Sequence, residues 1–206
     1  MVGIPSPFGG SDGGADAAHF DGYDAFVPEH NPEPGPFLEE AAVLDGDAHR
    51  AFHRLTREVF EDRGVYDMTF GYNLARLNLD TRHPDAGFRY AAEGDGDALR
   101  AEFTPTTEFC PQSHTLAVGA FRAWNGCSER HEYDIVRVRV HPMHHEAESI
   151  NEELRELEET YRAVGSVPSE PAGGEPAPGR GEGGDFGDLG DLGESEEAGY
   201  GPQAPF

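Results

Sequence analysis

Between residues 41 and 163, apolar positions recur with two different periods. Ala51, Phe52, Leu55 and Val59 repeat at helical spacing, with Asp47 placed to cap the start and Gly64 to end it. Ala75, Leu77 and Leu79 alternate with Arg76 and Asn78, which predicts a half-buried strand within Val65–Leu79. Phe88–Ala92 and Leu99–Thr104 read as two further strands, joined by an acidic, glycine-bearing turn over Glu93–Asp97. Leu116, Ala117, Ala120, Phe121 and Trp124 share one face of a helix after Cys110, the ordinary signature of core packing. Val136, Val138 and Val140 then alternate with Arg137 and Arg139 as a strand. Ile150, Leu154, Leu157 and Tyr161 mark a last helix whose other face is mostly Glu and reads as solvated. This order predicts an α+β domain: a small sheet of three to four strands with helices packed on one face.

Composition changes the picture outside that core. Residues 1–40 hold eight acids, no base, seven Gly and six Pro, and residues 164–206 hold nine acids, one Arg, twelve Gly and six Pro. Such segments bury too little apolar surface to offset their ordering entropy, so both are expected to be disordered extensions flanking a domain at 41–163. The tail carries a repeat, Gly184-Asp185-Phe186, Gly187-Asp188-Leu189, Gly190-Asp191-Leu192, readable as an acidic solubilising block or as a peptide docking three apolar anchors in a partner.

The formal net charge is −25, and every Lys-or-Arg position is Arg. An acidic surface with no Lys fits a salt-saturated cytosol, where ions screen self-repulsion. The charge argues against nucleic acid as a partner, because phosphates need a basic patch. The sequence holds no apolar run of membrane-spanning length and no basic-then-apolar leader. Two Cys make no disulfide framework, which points to a reducing, cytoplasmic location. A helix between Cys110 and Cys127 would hold their sulfurs roughly 20 Å apart, too far for a bridge.

The candidate chemistry centres on Cys110. Pro111 suits a first helical position, which would put Cys110 at the N-cap, facing free backbone N–H groups that favour a thiolate. Thr104, Thr106 and Thr107 line its approach. His114 follows four residues later, and His141, His144 and His145 lie where the last strand leads into the last helix. Cys110 with His114 and His145 could bind a metal, although the spacing matches no known metal motif. Cys110 as nucleophile with His114 or His145 as base would make a thiol-dependent enzyme. Cys127 reads as an incidental turn residue.

The run Phe103-Thr104-Pro105-Thr106, three residues, then Cys110-Pro111 resembles the iron–sulfur cluster assembly domain family, which includes the SufT, PaaD and eukaryotic cytosolic targeting-factor types. Pro142, His145, Glu148 and Asn151 match the family's later segment, and Asp67-Met68 falls near its turn after the first helix. The chain departs from the pattern after the first helix, where Glu61-Asp62-Arg63 stands in place of Asp-Pro-Glu. The resemblance implies a cytoplasmic assembly factor, not a turnover enzyme. Its partners would be iron–sulfur client apoproteins and other assembly factors, and such proteins also form homodimers. It further implies that Cys110 contacts iron, a transient iron–sulfur cluster or a client thiolate, in a pocket shaped by Thr104, Thr106, Thr107, His145 and Glu148.

Overall fold

The computed structural model describes residues 19–94 and 96–167. The chain divides into two compact units after Ser169, and the second lies outside the described residues. The fold is α+β. Strand β1 (Ala42–Val43) leads into helix α1 (Gly46–Arg63), and a small hairpin follows, β2 (Tyr66–Asp67) with β3 (Tyr72–Asn73). A 3-10 segment (Leu74–Leu79) precedes β4 (Gly87–Ala92) and β5 (Ala98–Thr104). Helix α2 (Ser113–Asn125), β6 (Ile135–Val140) and α3 (Ala147–Val164) complete it. The main sheet has the order β1-β4-β5-β6, antiparallel except for the parallel β5–β6 pair that α2 connects.

Helix α1 starts two residues earlier than expected: Asp45 is the N-cap, and Asp47 sits in the first turn, where a carboxylate favours the helix dipole. Gly64 ends it in the left-handed region, at φ 69°. A Cβ there would meet nothing within 4 Å, so Gly64→Ala probes backbone strain alone. It should cost about 1 kcal/mol and lower Tm by about 3 °C, read by thermal unfolding.

The four-strand sheet differs from the expected one in its membership. Residues 74–79 do not form a strand but a 3-10 segment in which Leu74, Ala75, Leu77, Asn78 and Leu79 are all buried. The Asn73 side chain accepts the Ala75 N–H and starts that segment, and His53 Nε2 meets the Ala75 carbonyl at 2.9 Å. Alternation in the sequence misleads here because burial on every side satisfies it as well as a two-faced strand does. β1, too short to show a period, takes the edge position instead.

One sheet face is aromatic and carries α1 and α2. Phe88 and Tyr90 of β4 pack with Phe60 and Phe52 of α1 and with Trp124 of α2, at ring separations of 4.8–6.3 Å. The α2 stripe named from the sequence is buried throughout. In α3, Ile150, Leu154 and Tyr161 are buried, but so is Glu158 on the face expected to be solvated.

The opposite sheet face is charged. Register aligns Arg89, Glu102 and Arg139 across β4, β5 and β6, and beside them Arg100 with Arg137. The segment before β1 covers this layer. Phe37 lies 5.1–5.7 Å from the guanidiniums of Arg100, Arg137 and Arg139, and Phe26 lies 5.3 Å from that of Arg89. The buried Glu102 carboxylate accepts the Gly35 and Phe37 N–H groups at 2.7 and 3.0 Å. A Cβ at Gly35 would collide with Glu102 and His141, so only glycine allows this approach. Residues 19–40, expected to be an extension, are therefore part of the fold: Asn31 and Leu38 are buried. Composition hid this because the segment is anchored by a few aromatic and backbone contacts to arginines, not by an apolar face. The expectations for residues 1–18 and 168–206, including the Gly-Asp repeat at 184–192, lie outside the described residues.

Candidate functional site

The parallel strands β5 and β6 end side by side, and the loops that leave them are bonded together. Helix α2 begins at Ser113 with Gln112 as N-cap, so Cys110 is not the capping residue. Residues 107–113 instead make successive tight turns: Cys110 N–H donates to Thr107 O at 3.3 Å, and Ser113 N–H donates to Cys110 O at 3.2 Å. Pro111 is thus accommodated in a turn before the helix. Cys110 is a half-buried free thiol, as is Cys127.

The loop after β6 locks onto this turn. His144 Nδ1 accepts the Glu146 N–H at 3.2 Å, so its proton is on Nε2, which donates to the Cys110 carbonyl at 3.1 Å. His145 binds Glu108 twice: its backbone N–H donates to the Glu108 carbonyl at 3.0 Å, and its Nδ1 lies 2.9 Å from the same oxygen. A carbonyl only accepts, so Nδ1 carries a proton, and Nε2 is the ring nitrogen not engaged by the backbone. That atom faces a half-exposed position, with Glu146 Oε2 at 3.7 Å. The His145 ring also packs on Phe109, centroid to centroid 4.9 Å. A third loop joins from the β2–β3 turn, where Gln112 accepts the Met68 N–H at 3.1 Å and donates to the Thr69 hydroxyl. Asp67 closes that turn by accepting the Thr69 and Phe70 N–H groups at 2.7 and 3.2 Å.

The residues expected around Cys110 do not gather in one place. Thr107 and His145 belong to the Cys110 turn and the loop that grips it. Thr104 and Thr106 line a cavity of about 390 Å³ with His83, Asp85, His141 and Met143, and Cys110 does not line it. Glu148 is exposed in the first turn of α3. His114 is committed elsewhere, with Nε2 2.7 Å from Glu153 of α3. Among the described residues no three His, Cys, Asp or Glu converge to hold a metal ion, so Cys110, His114 and His145 are not a metal triad. Nor does a hydrogen bond join the Cys110 sulfur to a histidine among them, which leaves the expected thiol–imidazole pair unformed.

Residues 18–168 match a family described as a domain of unknown function, DUF7998. The chain belongs to the DUF7998 family. No curated protein and no solved structure matches it. The match begins at residue 18, ahead of Phe26 and Phe37 and their contacts on the charged sheet face. Among the described residues, no helix is long and apolar enough to cross a membrane.

Sequence reasoning gave no surface role to three residues around this site, although Met68 was noted as part of a turn. Phe109, Met68 and Met143 are 62%, 80% and 39% exposed, against a core in which comparable side chains are buried. All three sit in the loops that converge on Cys110. Each stands alone in its stretch of sequence, so no periodicity marks it.

Proposed function

We propose that this protein is an iron–sulfur cluster assembly or targeting factor that presents Cys110 and His145 to a client apoprotein. The observation that carries this reading is the pairing of two loops: the turn holding a half-buried free thiol is bonded to the loop holding His145. The backbone orients that imidazole through Nδ1 and leaves Nε2 as the ring nitrogen it does not engage, 3.7 Å from Glu146 Oε2. A backbone carbonyl on the far nitrogen is the arrangement that orients a histidine to contact a metal. The resemblance at Phe103–Pro111 supports the iron–sulfur assignment specifically.

The cluster is cargo in this reading. One sulfur and one imidazole are too few ligands to retain it, so the client supplies the rest and transfer ends in the client's own site. The chain's own residues position and expose: His144 holds the Cys110 carbonyl, Glu108 orients His145, and Gln112 fixes the third loop. The same commitments favour a carrier over a thiol-dependent enzyme, since among the described residues no imidazole is bonded to the sulfur to act as base.

Cys110→Ser should leave the fold intact and lower the activity of iron–sulfur enzymes in the host cell several-fold. Activity assays, with circular dichroism of the purified variant, check this. Cys127→Ser should leave those activities unchanged. Equal client activities in the Cys110→Ser and wild-type strains would exclude the reading.

A further inference from the structure

Five large apolar side chains stand out as exposed among the described residues: Tyr23, Met68, Phe109, Met143 and Val164. Three of them, Met68, Phe109 and Met143, belong to the loops bonded around Cys110. Single exposed apolar residues need no explanation, but a convergence at one free thiol marks a contact surface. The charge of this surface is one-sided. The stretches 64–75, 101–121 and 140–154 contain no Arg or Lys, whereas they include Asp67, Glu108, Glu146, Glu148, Glu152 and Glu153. Arginine is plentiful elsewhere, on the far sheet face and along α1, and is mostly paired there with carboxylates. Asp67, the one acid of the β2–β3 turn, is buried and closes that turn. Glu153 is taken by His114. Glu108, Glu146 and Glu148 are exposed, and none has an Arg partner among the described residues.

We infer that this face docks a basic protein segment that places apolar side chains against Met68, Phe109 and Met143 and its own cysteine at Cys110. The inference rests on the reading of Cys110 as a client-facing thiol and adds the chemistry of the client. Charge complementarity selects the occupant: a rim bearing Glu108, Glu146 and Glu148, with no Arg partner among the described residues, repels another acidic surface, including a second copy of this chain, and attracts arginine or lysine. The apolar centre supplies contact that does not depend on charge and survives screening.

Disulfide capture measures this directly. The probe is a pentapeptide with arginines at both ends and phenylalanines flanking a thiopyridyl-activated cysteine. The Cys110 sulfur attacks the peptide sulfur, a new S–S bond forms, the old one breaks, and pyridine-2-thione leaves with the proton and is read by absorbance. The full chain carries Cys127→Ser so that one thiol reports. The arginine peptide should react at least about 10-fold faster than its glutamate counterpart at 0.15 M salt. Neutralising Glu108, Glu146 and Glu148 to Gln should remove most of that ratio. Neutralising Glu129, Glu132 and Glu159, exposed at a distance, should leave it. Phe109→Ala with Met143→Ala should slow the arginine peptide at least about 3-fold even at 2 M salt, where the charge contribution is screened.

Equal rates for the two peptides, or an equal loss from the remote neutralisation, would overturn the proposal. The two readings fail separately. Lost client activity in Cys110→Ser with no peptide preference retains the assembly reading and removes the basic partner. A strong, site-dependent preference with unaffected client enzymes does the reverse.

Discussion

Lowering the pH from 7.5 to 5 destabilises this protein by several kcal/mol, with most of the loss below pH 6.5. Two histidines of α1 account for it. His53 is buried, with Nδ1 2.8 Å from the Tyr90 hydroxyl and Nε2 2.9 Å from the Ala75 carbonyl. His49 is stacked among Phe26, His53 and Tyr90, and its Nδ1 has no hydrogen-bond partner among the described residues. Burial pulls His49 down to about 2, reinforced by the neighbouring His53 ring and the Arg89 charge. Burial likewise pulls His53 down to about 4, although the Ala75 carbonyl opposes it.

Both rings are neutral when folded, whereas in the unfolded chain they take up protons below about pH 6.5. The unfolded state therefore binds more protons between pH 6.5 and 4, and stability falls as pH falls through that window. At about 1.4 kcal/mol per unit and group, a drop from 6.5 to 5 removes ~3–4 kcal/mol. Glu102 works the other way, because burial raises its carboxyl, but it is one group against two. Denaturant midpoints at pH 7.5, 6.0 and 5.0 check the slope. His49→Leu should halve it and relieve the buried unpartnered nitrogen. A flat profile in the wild type would contradict the two neutral rings.

Removing Glu158 should be the most damaging single change on the charged sheet face. Its two oxygens lie 2.9 Å from Arg137 Nε, 2.9 Å from Arg139 and 2.6 Å from Arg162, and its side chain is 4% exposed. Arg137 keeps Glu93 when Glu158 is lost, and Arg162 is half exposed. Arg139 is the group that suffers: its side chain is 7% exposed and, among the described residues, retains only the Val138 carbonyl and the Phe37 ring. Leaving a buried charge uncompensated costs about 3–5 kcal/mol, so Glu158→Ala should lower the urea midpoint steeply at unchanged m. Adding Arg139→Met to Glu158→Ala should recover most of the loss, since the stranded charge goes with it. A double variant no more stable than Glu158→Ala would show that the loss comes from α3 packing.

The candidate site was only partly legible in the sequence. The spacing from Phe103 to Pro111 singled out Cys110, and the histidine-rich stretch singled out His145. Their association depends on β5 and β6 ending in parallel, a long-range pairing that no local pattern records. The helix start was misplaced by two residues because Pro111 is as acceptable in a tight turn as at a first helical position. His114 looked like a ligand for Cys110, but α3 puts Glu153 against it first.

By itself the sequence determined the α+β class, the stretches that become β4, β5, α2, β6 and α3, and the ending of α1 at Gly64. Those features follow from periodicity and from one residue's backbone freedom, and both act within a few neighbours. Only the tertiary structure decided that 74–79 is not a strand and that residues 19–40 belong to the fold. It alone turned Arg89, Arg100, Arg137, Arg139, Glu102 and Glu158 into a buried ionic layer. Charged residues alternating along a strand look the same whether water or another segment covers them. Which one does is settled by Phe26 and Phe37, arriving from far along the chain to lie over guanidiniums that the sequence alone would leave in solvent.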